Sequence, residues 1–218
     1  MFNPHYTITP KLLANTKRIA ELTSELNQKR FSQVALLDFA RKAREISAHA
    51  STSIEGNPLP LTEVKKILKN APEHIRDTER EVLNYNNALI YLDEVVKKEN
   101  PVLTLALVLK IQRLVMEGLM PEFKIGALRQ EPVFVNDVRT GQPLYLPPDH
   151  QDVPVLMDEL MRFISERRSN IDPLIIAGIF HKQFVIIHPF LDGNGRTTRL
   201  ATKVLLAGMG LNTFNLFS

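Results

Sequence analysis

The chain contains no cysteine and no tryptophan in 218 residues. Without cysteine there is no disulfide framework, no thiol nucleophile and no zinc–thiolate site. Such a composition fits a reducing compartment. An excess of one charge is also lacking: 27 lysines and arginines are scattered among 24 acidic residues, for a net charge of +3. That balance offers no basic stripe to a phosphate backbone, so no nucleic-acid partner is expected. Long apolar runs are missing too. None approaches the roughly 18–20 residues that span a bilayer, and Met1-Phe2-Asn3-Pro4-His5 has no basic segment leading into an apolar one. The expectation is a cytoplasmic protein without a membrane segment. Glycine is scarce, with nine in the chain, yet Gly193 and Gly195 stand one residue apart.

A chain of this length suits one domain, or a domain with an extension, and can bury a core without cross-links. Helical patterns dominate it. Thr9-Pro10 reads as an N-cap followed by proline, with Leu12, Leu13, Ile19, Leu22 and Leu26 continuing the helix. Val34 to about Ser53 forms a second helix. Thr62 is the expected cap of a short helix, Glu63–Lys69, broken by Pro72. Asp77–Lys98 is long and amphipathic, and Leu103–Leu119 is apolar. Asp152–Arg168 is a further helix with Pro154 in its first turn. Between them, 129–148 changes character: Pro132–Asn136 is β-like, Gly141 supplies a turn, and Leu144-Tyr145-Leu146 returns, predicting a hairpin of low regularity.

The chemistry concentrates near the C-terminus. Asp172-Pro173 opens a helix whose apolar residues run to Ile187, and His188-Pro189 ends it, because a residue before proline avoids the α region. Asp192–Gly195 is expected to be irregular, and Arg196 onward is helical again. Helix, glycine loop and helix N-terminus together make an anion site: glycines let N–H groups converge, and the first turn carries unpaired N–H groups and partial positive charge. Arg196 and Arg199, spaced i, i+3, project from one side, and two guanidinium forks suit a polyphosphate. Asp192 at the loop mouth opposes phosphate unless it holds Mg²⁺, which takes one or two carboxylates plus phosphate oxygens. His188 can accept a proton from a nucleophile. No GxxxxGK[ST] or GxGxxG phosphate loop is present. His181 lies two turns before His188, roughly 10 Å along a helix, too far to share a metal with it; it reads as a core group.

His188-Pro189-Phe190-Leu191-Asp192-Gly193-Asn194-Gly195-Arg196-Thr197-Thr198-Arg199 resembles, position for position, the HPFx[D/E]GNGRxxR signature of the Fic family (filamentation induced by cyclic AMP). The resemblance implies an all-α fold, a helical bundle with a small β-hairpin flap. It implies transfer of AMP from ATP, with Mg²⁺, to a hydroxyl side chain of a target protein. His188 is then the general base and Asp192 the metal holder. Gly193, Asn194, Gly195 and Arg196 cradle the α- and β-phosphates, and Arg199 reaches the γ-phosphate. The hairpin becomes a flap, with Val133, Phe134, Val135 and Tyr145 binding the target by main-chain pairing.

Ser51, Glu55 and Gly56 resemble the family's inhibitory motif [S/T]xxxE[G/N]. Glu55 sits at the end of the second helix, against the dipole, and Gly56 is a natural C′ residue. By resemblance, Glu55 pairs with Arg199 and displaces the γ-phosphate. The implied layout is an N-terminal helical extension over 1–100, carrying an inhibitory helix at about 33–56. A core over 101–218 then carries the flap and the loop 188–199. The target, bearing Ser, Thr or Tyr, is unnamed by the sequence, and the chain can be its own target. A homodimer stays open, as do removal of AMP from targets, transfer of another group, and a binding module with little turnover. Leu211–Ser218 starts a segment with no closing helix or cap, so a truncated or shortened member of the family is expected.

Overall fold

In a computed structural model, residues 2–97, 101–136 and 140–212 are described. They form eight α-helices and one two-stranded ribbon, in the order α1 (Pro10–Gln28), α2 (Gln33–Ile54), α3 (Leu61–Lys69), α4 (Asp77–Lys97), α5 (Leu105–Met116), β1 (Val135–Asn136), β2 (Pro143–Tyr145), α6 (Val153–Arg167), α7 (Pro173–Ile187) and α8 (Asn194–Ala207). The fold is therefore mostly helical, as the sequence pattern indicates.

Side-chain caps account for four of the eight helix starts. Thr9 accepts from the Leu12 N–H at α1, Ser32 from Ala35 at α2, Thr104 from Leu107 at α5 and Asp172 from Leu174 at α7. Each satisfies one of the four N–H groups a helix start leaves unpaired, worth about 1 kcal/mol per cap. Thr62 does not cap α3. That helix begins two residues earlier than expected, at Leu61 after Pro60, and has no side-chain cap. Proline presets the chain direction there without needing a hydroxyl.

The core is continuous across α4 to α8. Val82, Tyr85, Leu89 and Leu92 of α4 meet Val108, Ile111 and Val115 of α5, and Phe180, Phe184 and Ile187 of α7 meet Leu200, Ala201 and Val204 of α8. Helix α8 packs on α7, α5, α4 and the C-terminal part of α2, so the start of α8 lies where several helices can present side chains to it. By contrast α1 buries none of its residues; Leu13, Ile19, Leu22 and Leu26 stay exposed.

The hairpin is present but short. Val135 pairs with Tyr145 and Asn136 with Pro143, antiparallel, with an irregular register between the two pairs. The expected strand residues Val133, Phe134 and Leu146 lie outside the paired segment. The tail 213–218, where a shortened end is expected, lies outside the described residues.

Candidate active site

Helix α7 stops at His188, whose φ of 50° and ψ of 61° are left-handed. It is the one non-glycine with positive φ among the described residues. A left-handed turn followed by Pro189 throws the chain into the loop instead of continuing the helix. The His188 ring is partly buried, and its Nδ1 is buried without a hydrogen bond. Burial holds its pKa below the usual imidazole value, and the Arg129 charge adds to this. The nearby Val185 carbonyl, Glu55 and Asp192 oppose it. A neutral imidazole at neutral pH is what a general base requires.

The loop closes on itself. Asn194 accepts the Phe190 N–H through Oδ1 (2.9 Å) and donates from Nδ2 to the Phe190 carbonyl (2.8 Å). Its buried amide is thus committed to loop shape, which leaves its backbone N–H for an anion. This closure moves the helix start forward. α8 begins at Asn194, with Gly193 as a left-handed N-cap, whereas the sequence suggests irregular chain to Gly195. Gln112 of α5 anchors the loop from below, donating to the Asp192 carbonyl (3.2 Å) and accepting the Gly126 N–H.

Gly193 has φ of +79°, and a Cβ there would collide with Met116 Sδ. Both strain and contact oppose a side chain, since left-handed backbone alone costs a non-glycine residue roughly 1–2 kcal/mol. Gly193→Ala is therefore expected to lower the melting temperature by at least ~2 °C for a chain of this size. An unchanged melting curve would contradict the tight turn.

No side chain caps α8, so its first N–H groups are available to an anion. Arg196 lies beside them with only 2% of its surface exposed. Its Nη2 is 3.3 Å from Asp192 Oδ1 and its Nη1 is 3.5 Å from Glu81 Oε1. Yet Nε and Nη1 are buried without a hydrogen-bond acceptor. Buried guanidinium donors left unpaired are costly, and a phosphate oxygen would satisfy them. Asp192 stays largely exposed at the mouth, bonded to its own Gly193 N–H (2.5 Å). No group of three or more metal-ligating side chains occurs among the described residues. One largely exposed carboxylate beside an anion cradle fits a cation that takes its remaining ligands from phosphate and water.

Arg199 faces the end of α2. Its Nε donates to Ser51 Oγ (2.7 Å), and its Nη2 donates to the Ser51 carbonyl (2.9 Å) and to Glu55 Oε1 (2.7 Å). The Glu55 carboxylate also presses on Gly195, where there is no space for even a methyl group. A carboxylate therefore sits in the cradle at the start of α8. Gly56, at φ of 94°, ends α2 there, and Asn57 ties it down by donating to the Thr78 carbonyl (2.8 Å) and Glu81 (2.7 Å). His181 contacts Thr202 (3.2 Å), away from any metal role, and burial lowers its pKa.

Of the residues expected to form a flap, Phe134 is 65% exposed and Tyr145 is exposed while bonding through its hydroxyl to the Ile186 carbonyl (3.1 Å). Val133 and Val135 are partly buried. Sequence patterns did not single out Gln112, Glu81, Asn57 or Arg129. Their partners lie tens of residues away, and only a fold brings them together.

Residues 102–206 match the Fic/DOC family. Curated proteins named "Protein adenylyltransferase Fic" from Aedes aegypti and Culex quinquefasciatus are 30% and 31% identical over 95% of this chain. The chain spans 43% of the length of each. A Fic-domain-containing signalling protein from Bacteroides thetaiotaomicron superposes with a TM-score of 0.76 at 21% identity, covering 90% of this chain and 73% of that one, which establishes a shared fold. Through residues 102–206, this chain belongs to the Fic/DOC family.

Proposed function

We propose that the chain is a protein adenylyltransferase held in check by its own Glu55. It would transfer AMP from ATP to a Ser, Thr or Tyr hydroxyl of a target protein, itself included. The observation that carries this reading is the seat of Glu55: its carboxylate bonds Arg199 and lies against Gly195, where a terminal phosphate would also bind. Similarity to curated relatives named adenylyltransferases supports the reaction class.

In this reading the β- and α-phosphates lie on the N–H groups of Gly193 to Arg196 and on the Arg196 guanidinium. Arg199 leaves Glu55 to hold the γ-phosphate. Asp192 would hold Mg²⁺, which would neutralise developing charge on the departing diphosphate. A target segment adds to the flap beside Val133–Val135 and Tyr145. Its hydroxyl gives its proton to His188 and attacks the α-phosphorus. The P–O bond to the β-phosphate breaks and diphosphate leaves. Positioning and fixed N–H and guanidinium charge carry most of the rate. The reading includes the division into an extension carrying α2 and a core of about 101–218.

The test is product identity: ATP turned over in step with diphosphate release, and dependent on His188, is the expected result. Free AMP released from a modified target would instead make the chain a remover of AMP. The pH profile offers a second check. Because burial depresses the His188 pKa, the neutral base persists below the usual range. The rate should therefore fall on the acid side only below pH ~6.5, the ordinary imidazole value. A limb centred above that value would contradict His188 as the base.

A further inference from the structure

The end of α7 leaves carbonyls that no helical N–H can reach. Two of these, Ile186 and Ile187, and the next two carbonyls in the chain, His188 and Pro189, are all met from the flap segment. Tyr145 Oη donates to Ile186 O, while Arg129 donates from Nη2 to Ile187 O (3.4 Å), from Nε to His188 O (2.8 Å) and from its backbone N–H to Pro189 O (2.9 Å). The same guanidinium reaches both roots of the flap, donating to Glu131 O (3.3 Å) and Pro148 O (2.6 Å).

Arg129 is 3% exposed. Among the described residues it forms no ion pair, and its charge is met by backbone carbonyls instead. A buried charge with no carboxylate bonded to it is a costly way to fill space: burial lowers the Arg129 pKa, and the Asp149 charge only partly opposes this. What the fork supplies is geometry: five fixed donors in one plane. It grips the carbonyl of a residue held in a left-handed conformation, which persists only when its surroundings over-determine it.

We propose that Arg129 is the positioning residue that makes the flap and the base one mechanical unit, with Tyr145 as a second pin. A target strand laid on the flap is then registered directly against His188. The structural lock stands on the geometry alone; its effect on rate rests on the adenylyl-transfer reading.

The experiment compares Arg129→Gln and Arg129→Lys in the whole chain by three readouts. The first is amide hydrogen exchange at Val135, Tyr145 and His188. The lock predicts that all three speed up together, at least tenfold, in both variants, while Val204 in the α8 core keeps its protection. The second is the NMR titration of the His188 ring. The groups facing it are Arg129, Glu55, Asp192 and the Val185 carbonyl. Removing the Arg129 charge should move the titration to higher pH in Arg129→Gln, and the retained charge in Arg129→Lys should not. The third is self-labelling in a Glu55→Gly background. Here both variants should lose on the order of 10- to 10²-fold, because lysine keeps the charge but not the fork.

Unchanged exchange at the flap in a folded Arg129→Gln protein would overturn the lock. If labelling is absent in every variant but the exchange and titration shifts appear, the lock stands and the reaction assignment falls. Should Arg129→Gln fail to fold, Tyr145→Phe removes a single hydroxyl from an exposed ring. Faster exchange at Tyr145 and Val135 with a slower labelling rate supports the proposal, and wild-type behaviour in both overturns it.

Discussion

Glu55→Gly is expected to raise ATP turnover by on the order of 10²-fold. In the resting chain Arg199 gives three hydrogen bonds to the end of α2, one of them to Glu55. The ion pair itself is partly exposed, with 18% and 30% of the two side chains accessible, and such a pair alone is worth only up to ~1 kcal/mol. The two bonds to Ser51 add about 1 kcal/mol each. A total near ~3 kcal/mol leaves under ~1% of molecules with Arg199 free for a phosphate. Glycine leaves both Ser51 bonds in place, so loosening Arg199 alone accounts for only about fivefold; the rest of the gain comes from clearing the carboxylate off the Gly195 cradle, because a misplaced phosphate costs on the order of 10²-fold in rate. Ser51→Ala should give a smaller gain, several-fold, because the Ser51 carbonyl bond survives. Steady-state diphosphate release measures both. Equal rates in Glu55→Gly and wild type would mean that the carboxylate is no brake. The glycine variant should also gain more thermal stability from added ATP than wild type, since ligand affinity for the folded state adds directly to its stability.

His188→Ala is expected to remove transfer, by ~10²–10⁴-fold or more, while leaving ATP binding intact. The loss follows from deleting the base. Retention follows from the layout: the phosphate groups would rest on the start of α8 and on Arg196, and His188 sits at the end of α7, across the loop. The comparison belongs in the Glu55→Gly background, where the starting rate is high. ATP-induced stabilisation equal to that of the parent, with no transfer, is the expected pair of results. Undiminished transfer would exclude His188 as the base.

Much of this site is legible in the sequence because its chemistry is local. Asp172-Pro173, His188-Pro189 and Gly193 each set a helix boundary through backbone restrictions that need no tertiary partner. The two arginines fall on one side of α8 by helical spacing alone. The start of α8 is misread by two residues because Asn194 folds back onto Phe190, and nothing in the local pattern announces that bond. Thr62 shows the converse: a good capping residue passed over because Pro60 already directs the chain. Glu55 could be linked to Arg199 only through the motif resemblance, since 144 residues separate them. Arg129 belongs to no motif in the sequence. Its burial among carbonyls at the end of α7 is a property of the assembled fold.

The most direct test of the central claim is which phosphorus of ATP ends on protein. The Glu55→Gly chain would be incubated with Mg²⁺ and ATP labelled at either the α or the γ position. Covalent label from the α position only, with diphosphate released in equal amount and both abolished by His188→Ala, is the predicted result. Label from the γ position, or label that survives loss of His188, would contradict adenylyl transfer at this loop.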